Sequence, residues 1–257
     1  MSERSEPPER HAQAAGSGKH GANARSAAMS DLAPALEADG LGKSYGIHAA
    51  LEPLDLVIEA GELVMLVGPN GSGKTTLLRM AAGLLEPTEG TVTIDGFPAG
   101  SLDARAALSY LPDNPVLYDD LSLVEHLHFI GRLHGVPTDE LTERGAALME
   151  RFNLSNRADD LPVTFSRGLR QKTSIAIGLI RPFSVLVVDE PFVGLDQPGK
   201  RALTELLVDA HELGATVIVA THALEFTEVA KRCVGLRDGE LAYDGPASAD
   251  QVERLVS

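Results

Sequence analysis

Gly68-Pro69-Asn70-Gly71-Ser72-Gly73-Lys74-Thr75-Thr76 stands between the apolar run Leu63–Val67 and the helical pattern Leu77-Leu78-Arg79-Met80. A strand, a glycine-rich turn and a helix opening at Lys-Thr form one continuous P-loop arrangement. Gly68, Gly71 and Gly73 let the backbone turn its N–H groups inward around a chain of phosphates. The helix adds the positive end of its dipole at the same place. Pro69, Asn70, Ser72 and Thr76 complete the nucleotide-binding turn. Lys74 is expected to reach the β- and γ-phosphates, and Thr75 to set its hydroxyl on Mg²⁺. The stretch reads as a nucleotide site.

A second signal lies downstream. Val185-Leu186-Val187-Val188-Asp189-Glu190 is an apolar strand that delivers two carboxylates to the C-terminal edge of a sheet, where ligands of open α/β sheets bind. Asp189 is expected to hold Mg²⁺ through water. Glu190 would orient and deprotonate the water that attacks a γ-phosphate. Between the two signals, Phe165-Ser166-Arg167-Gly168-Leu169-Arg170-Gln171-Lys172 opens a helix. Ser166 and Gly168 there form either a simple serine cap or a second phosphate-binding N-terminus.

The 257 residues, 44% of them apolar, suffice for one large domain or two small ones with a real core. No window approaches the roughly 20 apolar residues that cross a bilayer, so work at a membrane would need a partner. The 37 acidic and 22 basic residues leave a formal net charge of −15, which repels phosphate backbones and anionic headgroups. Direct nucleic-acid binding is therefore not expected. The single cysteine, Cys233, rules out an internal disulfide and a cysteine-rich metal site and fits a reducing cytosol. With Val229 and Val234 close by, it reads as core packing.

Residues 1–30 are rich in Ser, Ala, Gly, Pro, Glu and Arg and lack the apolar core of a signal peptide, so a disordered tail is expected over 1–35. Met29, just before the first structured segment, is a candidate natural start. Short strands follow: the alternation at Leu54, Leu56 and Ile58, then Thr91–Ile94 and Ala107–Leu111, with hairpin-type turns between them. They suggest a small antiparallel sheet. Ser122 and Glu125 form a capping box, and Leu123, Leu127, Ile130 and Leu133 follow at helical spacing, which opens a helical insert over about 113–168. His126, His128 and His134 in this insert read as exposed helix positions rather than metal ligands. Beyond Ser166 come a helix to about Ile180, the strand Val185–Val188, a helix near Lys200–Leu213, the strand Ala215–Ala220 and a helix past Leu224. This alternation predicts an α/β fold. It is a P-loop NTPase core of RecA-like type with a mainly parallel sheet, a small antiparallel β subdomain and a helical insert.

The order of parts resembles the nucleotide-binding subunits of ABC transporters. That order is P-loop, helical insert, Ser-x-Gly helix start, Asp-Glu strand end, Gly194-Leu195-Asp196, and His222 after a strand. The resemblance spans about residues 36–245, within a domain expected over 36–257. It implies ATP and Mg²⁺ as ligands, ATP hydrolysis, and a head-to-tail dimer, homomeric or heteromeric, with two shared sites. The motif usually written LSGGQ reads FSRGL here. Ser166 and Gly168 are retained and would bind the γ-phosphate of ATP held in the partner's P-loop. Asp196 matches the loop that communicates between the sites. His222 matches the histidine that contacts the γ-phosphate, and Tyr45 the aromatic that stacks on adenine.

One departure concerns Asp113, which stands where the family usually has Gln. It can still offer oxygen to Mg²⁺ but crowds a third carboxylate near Asp189 and Glu190, which predicts retained ATP binding with a shifted Mg²⁺ requirement. The resemblance further implies a separate membrane permease as partner, contacted by the helical insert and the Asp113 loop. The subunit would lie on the cytoplasmic face of the membrane, and the wording of Phe165–Lys172 looks exporter-like. A soluble ABC ATPase of DNA repair or ribosomes is the alternative, but tandem cores, coiled-coil insertions and basic arms do not appear. A regulatory module without hydrolysis is opposed by the presence of Glu190.

Overall fold

The computed structural model describes residues 33–256. The expectation for the tail therefore falls, for residues 1–32, outside the described residues. Two sheets share the work. The first is antiparallel and contains β1 (Leu36–Tyr45), β2 (His48–Ile58), β4 (Glu89–Ile94) and the short β5 (Phe97–Pro98), in the order β2-β1-β4-β5. The second holds β3 (Leu63–Val67), β6 (Leu108–Leu111), β7 (Val185–Asp189), β8 (Thr216–Ala220), β9 (Arg232–Arg237) and β10 (Glu240–Pro246). Its order is β10-β9-β3-β8-β7-β6, parallel throughout except for the edge strand β10.

The central strands β3, β7 and β8 are buried along their whole length and apolar except for Asp189 at the end of β7 and Thr216 at the start of β8, as a parallel sheet covered on both faces requires. Their side chains divide alternately. Met65, Val67, Leu186, Val188, Val217 and Val219 pack toward the helical insert. Val64, Leu66, Val185, Val187, Ile218 and Ala220 join a second core with the antiparallel sheet and the helix α1 (Lys74–Ala81). A one-residue slip would exchange the two sets, so the register is strongly fixed.

The insert comprises α3 (Leu123–Leu133) and α4 (Thr138–Arg151), packed on α5 (Arg167–Ile180). The capping box at its start is present: the Ser122 hydroxyl accepts from the Glu125 amide, and the Glu125 carboxylate accepts from the Ser122 amide at 2.7 Å. Gly131 lets α3 approach α4 closely, since a Cβ there would lie 2.0 Å from Leu141 Cδ2. After the short helix α2 (Leu102–Ala107) comes β6, and later come α6 (Gln197–Glu212) and the terminal α7 (Ala249–Val256).

Three sequence expectations need correction. Ala107–Leu111 does not extend the antiparallel sheet: β6 is the parallel edge strand beside β7, and Ser109 Oγ donates to the Gly178 carbonyl at 2.8 Å from the helix above it. The helix expected past Leu224 is only a 3₁₀ segment, Leu224–Glu228. His126 is buried rather than exposed. Its Nδ1 lies 2.8 Å from the Ser122 carbonyl and its Nε2 accepts the Tyr118 amide at 2.9 Å, a pairing that fits the neutral Nδ1–H tautomer. The ring is a peg between α3 and the preceding loop. The strands β9 and β10 and the helix α7 had no reading in the sequence, and Cys233 lies fully buried in β9 beside Met65.

Candidate nucleotide-hydrolysis site

Strand order creates the site. β8 lies between β3 and β7, so Thr221-His222 emerges between the glycine-rich turn after β3 and the acidic pair that ends β7. All three segments leave the same end of a parallel sheet, where backbone groups are no longer engaged by neighbouring strands. There they line a cleft of about 560 Å³ that includes Asn70 to Thr76, Asp113, Glu190 and His222.

The turn is sterically demanding. A Cβ on Gly68 would lie 2.1 Å from the Leu236 carbonyl oxygen, and one on Gly73 would meet the Ala50 carbonyl oxygen at 2.8 Å. Gly73 also sits at φ 99°, a conformation that side-chain-bearing residues rarely adopt. Lys74, nearly buried, donates from Nζ to the Gly68 carbonyl at 2.6 Å and the Pro69 carbonyl at 3.2 Å. Burial holds its pKa below the usual lysine value, while the charges of Glu190 and Asp189 pull it back up. The Ser72 hydroxyl oxygen is buried and has no hydrogen-bond partner.

Asp189 is fully buried, and neither of its carboxylate oxygens has a hydrogen-bond partner of standard geometry. Burial raises its pKa. The nearby Thr75 hydroxyl works against that rise, Asp113 and Glu190 reinforce it, and the Lys74 charge opposes it. A buried carboxylate left in this state is costly unless a cation or donors complete it. Glu190 turns away sharply from the strand at φ 46°, a left-handed conformation held by its amide donating to the Ala220 carbonyl at 2.8 Å. The turn aims its carboxylate at His222, whose Nδ1 stands 3.3 Å from each Glu190 oxygen. Asp113 reaches the cleft from the loop after β6. Its Oδ2 accepts from Asn114 Nδ2 at 2.8 Å and its Oδ1 is buried without a partner.

The remaining sequence candidates lie elsewhere. Tyr45, at the tip of the β1–β2 hairpin, is exposed and lies outside the cleft lining, with Lys43 Nζ 5.3 Å from its ring centroid. Ser166 caps α5, its hydroxyl accepting the Leu169 amide at 3.3 Å. Asp196 caps α6 through the Gly199 amide at 3.1 Å and pairs with Lys172 Nζ at 2.8 Å. Ser166, Gly168 and Asp196 do not line their own chain's cleft. Arg167, Val193 and Ala50 do, and had no assigned role. Arg167 stood inside the quoted FSRGL motif, so its departure from glycine was the available signal.

A glycine turn wrapped on a buried lysine, an orphaned strand-end aspartate and a glutamate–histidine pair define a P-loop nucleotide hydrolase. Comparison with known proteins narrows the class. The ABC transporter family profile matches residues 51–193. The chain is 35% identical over 210 residues to the SkfA peptide export ATP-binding protein SkfE of Bacillus subtilis, covering 81% of this chain and 88% of that protein. It superposes with a TM-score of 0.80 and 31% identity on a solved ATP-binding subunit of an ABC transporter, covering 85% of this chain and 98% of that one. A dimeric ATP-binding cassette in a post-hydrolysis state with ADP and Pi matches with a TM-score of 0.76 and 26% identity, over 82% and 98% of the two chains. The chain belongs to the ABC transporter family, as an ATP-binding subunit with the family's ATPase activity.

Proposed function

We propose that this chain is the motor subunit of an export-type transporter, working as one half of a head-to-tail dimer on the cytoplasmic face of a separate membrane permease. The observation that most supports this is the convergence of the P-loop turn, Asp189-Glu190 and His222 on one cleft at the ends of three adjacent strands. The amides of Gly68–Gly73 and the Lys74 ammonium hold the β- and γ-phosphates. Glu190 takes the proton of the attacking water. His222, at hydrogen-bond distance, orients that carboxylate and faces the γ-phosphate.

Mg²⁺ fits the residues present, since the two orphaned oxygens of Asp189 lie beside the Thr75 hydroxyl. Among the described residues no cluster of three or more His, Cys, Asp or Glu would hold a metal by itself. That suits an ion bound by one or two protein oxygens together with nucleotide phosphates. Thr75 and Asp189 would hold it, with Asp113 as a further oxygen, and it would supply charge neutralisation at the phosphates. Ser166 and Gly168, outside their own chain's cleft, would complete the site of a second copy or a homologous subunit. Asp196 would couple the two sites, and Tyr45 would stack on adenine.

No helix among the described residues is long and apolar enough to cross a membrane, so the transported compound would meet another chain. Val116, Tyr118, Phe129 and Leu133 expose apolar surface on the Asp113 loop and the α3 face, which suits a permease contact. The export direction draws support from the peptide-export relative. Glu190→Gln tests the reading. It should bind ATP normally, lose about a hundredfold or more in kcat, and sediment as an ATP-dependent dimer. Normal turnover in that variant would remove Glu190 from the base role.

A further inference from the structure

A second, smaller cavity of about 240 Å³ opens between α6 and the two segments that carry Glu190 and His222. One wall is apolar. Phe192 stands two residues after Glu190, Ala223 directly follows His222, and Phe226 closes the wall from the 3₁₀ segment Leu224–Glu228. Both phenylalanines are buried, with ring centroids 5.8 Å apart and planes inclined at 51°. The α6 wall is polar: Gln197, Lys200, Arg201 and Thr204 recur at the three- and four-residue spacing that sets side chains on one helix face. Lys200 also lines an adjoining depression together with Glu190 and His222.

The charges of this wall are unbalanced. Glu205, the acid that lines the cavity, is engaged by Arg151 at 2.9 Å, and the Thr204 hydroxyl donates to the Lys200 carbonyl at 3.1 Å. Among the described residues neither the Lys200 ammonium nor the Arg201 guanidinium has a hydrogen-bond or ion-pair partner. In a chain with 37 acidic against 22 basic residues, two cations left without an acid beside an aromatic wall call for a ligand of opposite charge. We propose that this cavity is a regulatory site for a small aromatic carboxylate, its ring against Phe192 and Phe226 and its carboxylate held by Lys200 and Arg201. The cations select an anion, and the rings select a flat apolar body over a bare acid. The volume, below the roughly 300 Å³ at which drug-sized sites begin, limits the ligand to one or two rings. An occupant pinned between Phe192 and Ala223 holds the segments that carry Glu190 and His222, while the glycine-rich turn between β3 and α1 stays free. It therefore slows hydrolysis without weakening ATP binding. This kinetic consequence rests on the ATPase reading above; the binding itself does not.

The test uses the full chain with 2-naphthoate as probe, and acetate and neutral 2-naphthamide as controls. Binding is followed by equilibrium dialysis without nucleotide, and ATP affinity and ATPase rate are measured with and without the probe. The wild-type chain should bind 2-naphthoate at about millimolar Kd or tighter, and each control at least about tenfold more weakly. The double variant Lys200→Gln, Arg201→Gln and the cavity-filling variant Thr204→Phe change side chains outside the nucleotide cleft. Each should keep its ATPase rate in the absence of probe and lose about tenfold or more of the naphthoate affinity. With saturating probe, kcat of the wild-type chain should fall several-fold at unchanged ATP affinity, and the variants should be insensitive. Absent naphthoate binding, equal binding of 2-naphthamide, or binding undisturbed by both variants would overturn the proposal. Displacement of the probe by ATP would also overturn it, by placing the probe in the nucleotide cleft, and so would binding that leaves kcat unchanged. A wild-type chain that binds the probe but neither binds nor hydrolyses ATP would instead strike at the ATPase reading.

Discussion

Asp113 carries the sharpest consequence of a single side chain. Its Oδ1 is buried and unpartnered in the cleft, and its charge helps to raise the Asp189 pKa. Like charges held this close favour a bound divalent cation, and removing one weakens that cation's hold. Asp113→Gln should therefore keep ATP binding intact and raise several-fold the Mg²⁺ concentration needed for half-maximal ATPase activity. A magnesium titration of initial rates reads this directly, and an unchanged midpoint and rate would contradict it. Asp113 was legible in the sequence only through its departure from a family pattern. Lys74, Thr75, Asp189 and Glu190 were legible because each sits at a fixed offset from a strand end or glycine turn. His126 was misread because its neighbours on α3 give no sign that the preceding loop folds back to donate the Tyr118 amide to its Nε2.

Between elements, the Lys172–Asp196 pair ties the α5 helix to the start of α6 at 2.8 Å. Gly199 makes room for it, since a Cβ there would lie 2.8 Å from Lys172 Cε and 2.7 Å from Asp196 Oδ1. The Lys172 ammonium holds the Asp196 carboxyl below the usual carboxylate range, helped by the Gly199 amide and opposed by burial. A depressed folded-state pKa contributes stability that is present above the ordinary Asp value and lost as pH falls through the folded value. Asp196 is more than half exposed, so the contribution is at most about 1 kcal/mol. Urea unfolding of Asp196→Asn should show a loss of that order at neutral pH, shrinking toward zero below about pH 4. A gap that persists in acid would mean the ion pair contributes nothing. The pattern of elements was largely readable, because apolar runs and helical spacing are local. The placement of β6 was not: hairpin-like turns precede it, and only pairing with Val185–Val188, far along the chain, sets it in the parallel sheet.

For the assembled protein, the proposed completion of the cleft by a second subunit makes activity depend on concentration. The ATPase rate per chain should rise with protein concentration and level off once dimers dominate. Each copy of the 257-residue chain carries a formal charge of −15, so moderate salt should move that rise to lower concentration by screening repulsion. A rate per chain that stays constant over a hundredfold dilution, at every salt level, would show that one copy suffices. The nucleotide chemistry was written in contiguous residues, because a glycine-rich turn and an acid pair after an apolar strand impose their own backbone geometry. Tertiary structure decided the rest. It set β8 between β3 and β7, so that His222 meets Glu190, and it brought in the Asp113 loop. It also seated Gly168 on Gly194, which sets Arg167 in the lining of the cleft. These meetings depend on strand order and on close backbone packing between segments far apart in the chain, which no local pattern of residues encodes. The opening turn thus specifies that a nucleotide is bound, and the sheet topology specifies which distant side chains surround it.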